Sequence, residues 1–219
     1  MLKVISTSDG SNTIYVPELD EYYHSAYGAV EESKHVFINN GYKKFPGNTI
    51  RIFELGFGTG LNALLSLLES VKDKKRIEYL SIEKHPLDKE IIDQINYGQL
   101  FTEKGELYFS LIHEAEWDKP CLITDSFSLH KITGDIRDFT TDSFFDIVYY
   151  DAFAPGKQPE MWSFDLISKV CSLLSSGGIF ITYSARGQLK RDLMKLGFDV
   201  EHPDGPRGKR QITRASKMT

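Results

Sequence analysis

Apolar positions along this chain change between two periods. Unbroken apolar runs, which are typical of buried strands, are followed by segments with apolar residues at helical spacing. The predicted strands occupy residues 50–55, 77–83, 145–151 and 178–184. The predicted helices occupy residues 61–71, 87–96, 160–174 and 186–196. Strands that alternate with helices predict βαβ units, and therefore an α/β fold with a mostly parallel, Rossmann-like sheet flanked by helices.

Two regions predict antiparallel additions to this sheet. Residues 121–127 and 128–133 are strand-like and have no helical segment between them, so we expect a hairpin there. Towards the end of the chain, residues 198–202 and 210–214 are strand candidates and predict an antiparallel edge.

Residues 1–48 are polar and aromatic and lack the alternation that begins at Ile50. A turn at residues 9–12 separates two short strand candidates, and residues 25–39 have helix-compatible spacing. We expect this segment to be an extension packed on a core of residues 49–219, within one domain that spans residues 1–219.

A glycine-rich turn lies between the first predicted strand and helix of the core. Its sequence is Glu54-Leu55-Gly56-Phe57-Gly58-Thr59-Gly60-Leu61-Asn62. Glycine permits positive φ and lets a ligand approach the main chain, and the helix start offers free N–H groups. The G-x-G-x-G spacing differs from the G-x-G-x-x-G of dinucleotide enzymes, and an acid two positions before the first glycine is usual in methyltransferases. The turn predicts a nucleoside-type cofactor; the alternative is a tight turn without a ligand.

Acidic residues follow the next two strands of the predicted sheet. Glu83 comes 27 residues after Gly56, at the position where an acid accepts hydrogen bonds from ribose hydroxyls. Asp135 and Ile136 follow residue 133, where methyltransferases commonly read adenine through a carboxylate and a backbone N–H. The alternatives are a surface glutamate at Glu83 and a helix N-cap at Asp135.

The strand predicted at residues 145–151 runs directly into Asp151 and a loop rich in aromatic residues and proline. Carboxylates seldom end a buried strand without a partner. This loop is therefore predicted to hold Asp151 and Phe153 beside a reacting atom. The alternative is a structural aspartate that caps the helix in the 160s.

The charge distribution is uneven. The chain has 26 Lys and Arg against 31 Asp and Glu, a formal net charge of −5 that argues mildly against nucleic acid. Nine basic and four acidic residues lie from Arg186 onward, however, and such an end can bind phosphate locally. A solvated basic face is the equal alternative.

Membrane, disulfide and metal-binding features are absent from the sequence. No apolar run reaches the ~18 residues that suggest a membrane span, and the first residues do not form a signal peptide. Cys121 and Cys171 lie in apolar surroundings and predict buried free thiols. We expect a cytoplasmic protein without a bound metal.

Two segments of the chain resemble the signature segments of the MnmC-type tRNA methyltransferases, which act on 5-aminomethyl-2-thiouridine. They are residues 53–62, with the glycine turn, and residues 151–162, with the sequence Asp-Ala-Phe-Ala-Pro-Gly-Lys-Gln-Pro-Glu-Met-Trp. Residues 22–33 and 205–210 are also similar to this family. The resemblance covers nearly the whole chain. It implies a class I, Rossmann-like methyltransferase, with a seven-stranded type of sheet and S-adenosylmethionine as its cofactor.

The resemblance also implies a reaction and partners. The family methylates the exocyclic amine of 5-aminomethyl(-2-thio)uridine at the tRNA wobble position, so the anticodon stem-loop is the expected partner. In bifunctional relatives a second, FAD-dependent oxidase domain supplies that amine. Because this chain ends at Thr219, a separate enzyme is expected to supply it here.

Residue roles follow from the resemblance. The expected cofactor-binding residues are Glu54, Gly56, Phe57, Gly58, Thr59, Gly60, Asn62, Glu83, Lys84, Asp135, Ile136 and Asp151. The expected substrate-binding residues are Tyr22, Phe153, Pro155, Lys157, Arg207, Lys209 and Arg210, with Tyr23 and Tyr27 as further stacking candidates. Asp151 is the expected catalytic residue, because an amine must lose a proton and present its lone pair before it is methylated. Whether Asp151 acts as a base or only orients the amine is left open.

Other functions remain to be compared with this one. A methyltransferase or aminopropyltransferase acting on a small amine would share the glycine turn and the aspartate after the fourth strand. A nicotinamide dehydrogenase is disfavoured by the glycine spacing. A non-catalytic RNA-binding domain is disfavoured because Glu54, Glu83, Asp135 and Asp151 are all present.

Overall fold

The amino-terminal segment folds into its own small sheet. The structure, a computed structural model, describes residues 1–101 and 104–218. An antiparallel sheet is formed by β1 (Lys3–Ser6), β2 (Asn12–Val16) and β3 (Glu21–Tyr22). A short helix, α1 (Ala29–Ser33), continues into a π-helical stretch (Lys34–Asn39), which agrees with the helical spacing of residues 25–39.

The main sheet has eight strands in the order β10-β11-β9-β8-β4-β5-β7-β6. These strands are β4 (Thr49–Leu55), β5 (Arg76–Glu83), β6 (Pro120–Thr124), β7 (Phe127–Thr133), β8 (Phe145–Tyr150), β9 (Leu174–Thr182), β10 (Phe198–Glu201) and β11 (Thr213–Lys217). The five strands from β9 to β7 pair in parallel, and β6, β10 and β11 pair antiparallel. The predicted α/β class, the mostly parallel sheet and the hairpin of β6 and β7 are confirmed.

Helices cover both faces of the sheet. They are α2 (Leu61–Asp73), α3 (Lys89–Ile92), α4 (Lys104–Glu114), α5 (Phe164–Ser172) and α6 (Gly187–Lys195). Strand β8 shows why both faces must be covered, since its side chains alternate between two apolar clusters. Ile147 and Tyr149 join the cluster that contains residues of α2 and of the amino-terminal segment. Val148 and Tyr150 join the cluster that contains residues of α5 and α6.

Besides the start of β9, which precedes the predicted residue 178, and the end of β6, which precedes the predicted residue 127, three predicted elements differ from the structure. The helix predicted at 87–96 is only α3, followed by a 3₁₀ turn (Tyr97–Leu100), because Asn96 instead fixes the amino-terminal segment. Its side chain accepts from the Asn12 backbone N–H and donates to the Gly10 carbonyl, both at 2.8 Å. The helix predicted at 160–174 is interrupted at Ser163, whose hydroxyl accepts from the Leu166 N–H and caps α5.

The third difference is in the last strand, and one cysteine also departs from its prediction. Residues 210–214 were predicted as a strand, whereas β11 covers Thr213–Lys217, which pair with β9 and β10. Cys171 is buried as predicted, but Cys121 is only half-buried because it lies on the edge strand β6.

Strand β4 pairs with β5 on one side and with β8 on the other. The order in which the chain adds strands to the sheet therefore reverses its direction at β4. This is a topological switch point, and open α/β sheets bind ligands at the carboxyl edge of such a point. The glycine turn after β4 lies at that edge.

Candidate active site

The glycine turn has left-handed backbone at each of its three glycines. The φ angles of Gly56, Gly58 and Gly60 are 92°, 51° and 72°. A Cβ on Gly56 would lie 3.1 Å from the carbonyl oxygen of Asp151, and one on Gly58 would lie 3.1 Å from the ring of Tyr23. The turn therefore needs glycine both for its conformation and for the space it leaves above the backbone.

A cavity of about 600 Å³ opens above this turn, at the carboxyl edge of the sheet. Its volume is in the range of small-molecule sites, ~300–1,000 Å³. The cavity brings together most of the predicted cofactor residues: Gly56, Phe57, Gly58, Thr59, Asn62, Glu83, Lys84, Asp135, Ile136 and Asp151. Two predicted cofactor residues, Glu54 and Gly60, are not among the described residues that line it.

Glu54, an expected cofactor-binding residue, does not reach the cavity. Its side chain is fully buried below the turn, where the Ser81 hydroxyl donates to its Oε2 at 2.7 Å. Glu54 shares the strand face of Ile50 and Ile52, which is covered by α2. Gly60 also faces away from the cavity. A Cβ at Gly60 would meet the side chains of His113 and Phe57.

Glu83 connects the end of β5 to the glycine turn. Its Oε2 accepts from the Gly58 N–H at 3.1 Å, and its Oε1 accepts from the His85 N–H at 2.8 Å. The carboxylate therefore lies at the cavity wall in a fixed orientation, with remaining acceptor capacity for ligand hydroxyls.

Asp135 lies on the same wall between two cations. Its Oδ1 accepts from the backbone N–H and the Nε of Arg137, both at 2.9 Å, and Lys84 Nζ lies 3.0 Å from its Oδ2. The hydrogen bonds from Arg137 hold the pKa of Asp135 well below its usual range. A turn follows Asp135, so it does not cap a helix. Arg137 also lines the cavity and was missed by the sequence reasoning, although the Asp-x-Arg spacing is visible there.

Asp151 follows β8 at the base of the cavity. Its backbone N–H donates to the Leu55 carbonyl at 3.2 Å, and Asn62 Nδ2 donates to its Oδ2 at 2.8 Å. Burial raises the pKa of Asp151 to about 7, against the opposing effect of the Asn62 hydrogen bond. The alternative capping role does not apply, because Ser163 caps α5.

The loop after Asp151 is held by hydrogen bonds to its backbone. Trp162 Nε1 donates to the Phe153 carbonyl, and the Tyr183 hydroxyl donates to the Ala152 carbonyl, both at 2.8 Å. The Phe153 ring meets the edge of Tyr23 at a centroid distance of 5.1 Å, and both residues line the cavity. Aromatic side chains from the loop and the amino-terminal segment therefore form one wall.

The other predicted substrate residues are distributed around this wall. Tyr22 lines the cavity and is partly exposed, with its ring 4.9 Å from that of Tyr15. Pro155 and Lys157 are not among the described lining residues. The side chain of Lys157 turns outward, and its Nζ lies 3.3 Å from Asp20 Oδ2.

The basic segment near the end of the chain divides into exposed and inward-facing residues. Arg207 and Arg210 are exposed, and the Arg207 guanidinium lies 5.6 Å from the ring centroid of Tyr27. Lys209, an expected substrate-binding residue, is half-buried and lines the cavity. Its Nζ pairs with Glu32 Oε1 and lies 3.8 Å from the ring centroid of Tyr183.

Several cavity residues escaped the sequence reasoning. His24 is buried, its Nε2 lies 3.1 Å from Thr59 Oγ1, and burial lowers its pKa to about 4. Glu32 and Tyr183 also line the cavity, and neither was assigned a role from the sequence. Within residues 1–101 and 104–218, no group of three or more His, Cys, Asp or Glu side chains is arranged to hold a metal. None of the helices described there is long and apolar enough to cross a membrane.

These features define the class of protein. A glycine turn after the first parallel strand, carboxylates after the next strands and a switch point at β4 are the arrangement of a class I, Rossmann-like methyltransferase. Residues 111–218 match a family model described as S-adenosyl-L-methionine-dependent methyltransferase. The chain is an S-adenosyl-L-methionine-dependent methyltransferase whose sequence and structure are similar to those of the MnmC-type family.

Individual relatives agree with this assignment. The bifunctional protein MnmC of tRNA 5-methylaminomethyl-2-thiouridine biosynthesis from a Marinomonas species is 30% identical over 90% of this chain and 31% of its own length. Its counterpart from Idiomarina loihiensis is 32% identical over 88% of this chain and 35% of its own length. The chain thus spans about a third of the length of the curated relatives it matches.

Solved structures give the same result. The crystal structure of MnmC2 from Aquifex aeolicus superposes with a TM-score of 0.80 at 29% identity, over 99% of this chain and 70% of that one. Spermidine synthase from Thermotoga maritima superposes with a TM-score of 0.56 at 12% identity, over 99% of this chain and 79% of that one, which shows a shared fold only.

Proposed function

We propose that this methyltransferase transfers a methyl group to the exocyclic amine of 5-aminomethyl(-2-thio)uridine at the tRNA wobble position, giving 5-methylaminomethyl(-2-thio)uridine. The main support is the position of Asp151, which lies beside the glycine turn in a cavity with an aromatic wall. The names of the relatives, which refer to tRNA 5-methylaminomethyl-2-thiouridine biosynthesis, support the substrate class.

The donor groups of the cavity fit S-adenosylmethionine. Gly56, Gly58 and the start of α2 would hold its methionine part, since the turn leaves its backbone open there. Glu83 would accept hydrogen bonds from the ribose hydroxyls, and Asp135 with the Ile136 N–H would hold the adenine. When bound, this cofactor supplies an electrophilic methyl group on a sulfonium sulfur.

Asp151 is the proposed catalytic residue. An alkylamine is mostly protonated near neutral pH and must release one proton before its nitrogen can attack. The bound cofactor would supply the methyl group for the new N–C bond and leave as a neutral thioether that keeps the electrons of the C–S bond, and Asp151 would take the proton that the amine releases. A carboxyl group with a pKa of about 7 is a far better proton acceptor than an exposed aspartate, which favours a role as base in addition to orientation.

The surroundings of the cavity suit a single-stranded RNA loop. Bases that are unstacked from a loop commonly stack on aromatic side chains, and basic groups contact the flanking phosphates. Phe153, Tyr22 and Tyr23 would contact the uridine, and Arg207 and Arg210 would contact phosphates beside it. With tRNA as its substrate, the proposed enzyme works in the cytosol.

The proposal includes a source for the amine. The relatives are named as bifunctional proteins, and this chain matches about a third of each. We infer that an earlier enzymatic step forms the 5-aminomethyl group on the tRNA before this chain methylates it.

A substrate comparison tests the proposal. The protein is incubated with radiolabelled S-adenosylmethionine and either tRNA that carries unmethylated 5-aminomethyluridine or a panel of small amines that includes polyamines. We expect label in the tRNA fraction only. Label in the small amines without label in tRNA would instead support the alternative, a small-molecule amine methyltransferase.

A further inference from the structure

A cluster of buried polar side chains lies under the glycine turn. Glu54, Ser81, Asn62 and Tyr79 are 0–3% exposed. Glu54 Oε2 accepts from the Ser81 hydroxyl at 2.7 Å, and Asn62 Nδ2 donates to Asp151 Oδ2 at 2.8 Å. The side chains of Asn62 and Tyr79 lie close to Glu54 and lower its pKa, whereas burial has the larger and opposite effect. The cluster therefore connects a fully buried carboxyl group with the base of the cavity.

If Glu54 is ionised, the cluster has more hydrogen-bond acceptors than donors. Glu54 Oε1, Asn62 Oδ1 and the Tyr79 hydroxyl are buried and have no partner within the described residues. A carboxylate oxygen and an amide oxygen only accept, and the Tyr79 hydroxyl supplies one hydrogen for both. A buried acceptor that is left unpaired destabilises the folded protein. A proton on Glu54 supplies the missing donor.

The charge balance gives the same result. No ion pair of the described residues includes Glu54, although an ionised carboxyl group at full burial needs a cationic partner or several donors. The titratable groups that face Glu54 are Asp151, Tyr79 and Tyr149, and none of them carries positive charge. Burial raises the pKa of Glu54 to about 8.

We propose that Glu54 is a positioning residue that remains protonated during catalysis and donates its proton to Asn62 Oδ1, which directs Asn62 Nδ2 towards Asp151. The proposal rests on the proposed role of Asp151. An amide can be flipped, and the flipped Asn62 would point its oxygen at the Asp151 carboxylate. The proton on Glu54 excludes that orientation, because only an acceptor can face it. When Glu54 loses its proton, the donor is lost and a second negative charge acts on Asp151.

Two substitutions of similar size separate the roles of hydrogen bonding and charge. Glu54→Gln keeps an acceptor for Ser81 and an N–H donor for Asn62, and it is neutral at every pH. Glu54→Met fills the same space without either group. We expect Glu54→Gln to keep kcat at pH 7 within roughly threefold and Glu54→Met to lower it at least ~10-fold, with cofactor affinity similar in both. We expect kcat of wild type to fall above pH 8 and kcat of Glu54→Gln not to fall there.

Other results would overturn the proposal. Equal loss of kcat in both variants would mean that the carboxylate charge is required, and unchanged kcat in Glu54→Met would mean that the hydrogen bond does not matter. A selective loss of S-adenosylmethionine affinity, measured by calorimetry, would return Glu54 to a cofactor-binding role. Thermal unfolding of both variants identifies any loss that comes from misfolding.

Infrared spectroscopy tests the protonation of Glu54 without any substrate. A protonated carboxyl group has a carbonyl band that a carboxylate lacks. We expect a band at pH 7.5 that is absent in Glu54→Gln, present in Asp151→Asn, and lost from wild type as the pH rises past 8. No difference between wild type and Glu54→Gln would refute a protonated Glu54 even if the proposed methylation is correct. Conversely, if the band is found but tRNA is not methylated, only the proposed function fails.

Discussion

The side-chain amide of Asn62 donates a 2.8 Å hydrogen bond to Oδ2 of Asp151. Asn62 lies in the first turn of α2, and Asp151 follows β8, so the bond joins the glycine turn to the loop that carries the proposed base. It leaves Oδ1 of Asp151 for a substrate nitrogen.

Asp151→Asn removes the proposed proton acceptor while retaining the shape of the side chain. We expect kcat for tRNA methylation to fall ~100-fold or more, because a positioned general base contributes ~10²–10⁴-fold. Affinity for S-adenosylmethionine, measured by calorimetry, should change little. Asp199→Asn, at an exposed position on β10, is the matched control and should retain full activity. Full kcat in Asp151→Asn would exclude its proposed role.

The pH dependence of the reaction should reflect the charge near Asp151. Because the pKa of Asp151 is raised, its carboxyl group is protonated below about pH 7 and cannot accept a proton there. We therefore expect kcat to rise as the pH increases through 7. The positive charge of Lys209 lowers the pKa of Asp151. Lys209→Met should therefore move the rise to higher pH, while Lys44→Met, on the exposed surface, should not move it. If kcat rises at the same pH in both variants, the charge of Lys209 does not affect the pKa of Asp151.

The contribution of Glu54 to the stability of the protein should become less favourable as the pH increases between about 4.5 and 8. Burial raises the pKa of Glu54 from 4.5 to about 8, so the folded state keeps a proton that the unfolded state releases in this window. This unfavourable contribution is absent below the window and constant above it. Glu54→Gln, which cannot ionise, should show a smaller fall in Tm and unfold several degrees higher than wild type at pH 9. Parallel Tm profiles for the two proteins would be inconsistent with a buried, protonated Glu54.

Replacing Arg207 and Arg210 by alanine should weaken tRNA binding and reduce its dependence on salt. If each arginine contacts one phosphate, the slope of log affinity against log salt should become smaller by ~1.4 in total. Filter binding over a series of salt concentrations measures it. The control replaces Lys72 and Arg76, two exposed residues at the opposite edge of the sheet, with the same change in net charge. An equal effect in the control would mean that only overall charge matters.

Gly58→Ala should impair cofactor binding more than folding. Gly58 has a φ of 51°, and a Cβ there would press on the Tyr23 ring, which lines the cavity. We expect at least a ~10-fold loss of S-adenosylmethionine affinity, together with ~1–2 kcal/mol of backbone strain. Gly197→Ala carries similar strain at a φ of 83° but meets no atom within 4 Å, so it should lower Tm without changing affinity. Equal affinity in the two variants would contradict the proposed cofactor position.

Most of the sheet could be predicted because its strands are apolar runs that end at glycine or an acid. Helix α4 could not, since only Tyr108 and Ile112 among its apolar side chains are buried and Leu107 is exposed. The turn and the acids Glu83, Asp135 and Asp151 were predicted from their places at strand ends, and all line the cavity.

The remaining site residues depend on tertiary packing. Glu54 has the same sequence signature as an acid that faces a ligand, and only the position of α2 shows that it is buried. Lys209 lies in a segment that reads as an exposed basic loop, yet Glu32, which is far away in sequence, draws its side chain into the cavity. No periodicity within one segment contains such information.

Nucleoside mass spectrometry of the tRNA product tests the central claim most directly. Hypomodified tRNA that carries 5-aminomethyl(-2-thio)uridine is incubated with the protein and S-adenosylmethionine, digested and compared with a reaction that contains Asp151→Asn. The account predicts that wild type converts this nucleoside to its 5-methylaminomethyl form and that Asp151→Asn leaves it largely unconverted. An unchanged wobble nucleoside in the wild-type reaction, with cofactor binding intact, would contradict the account.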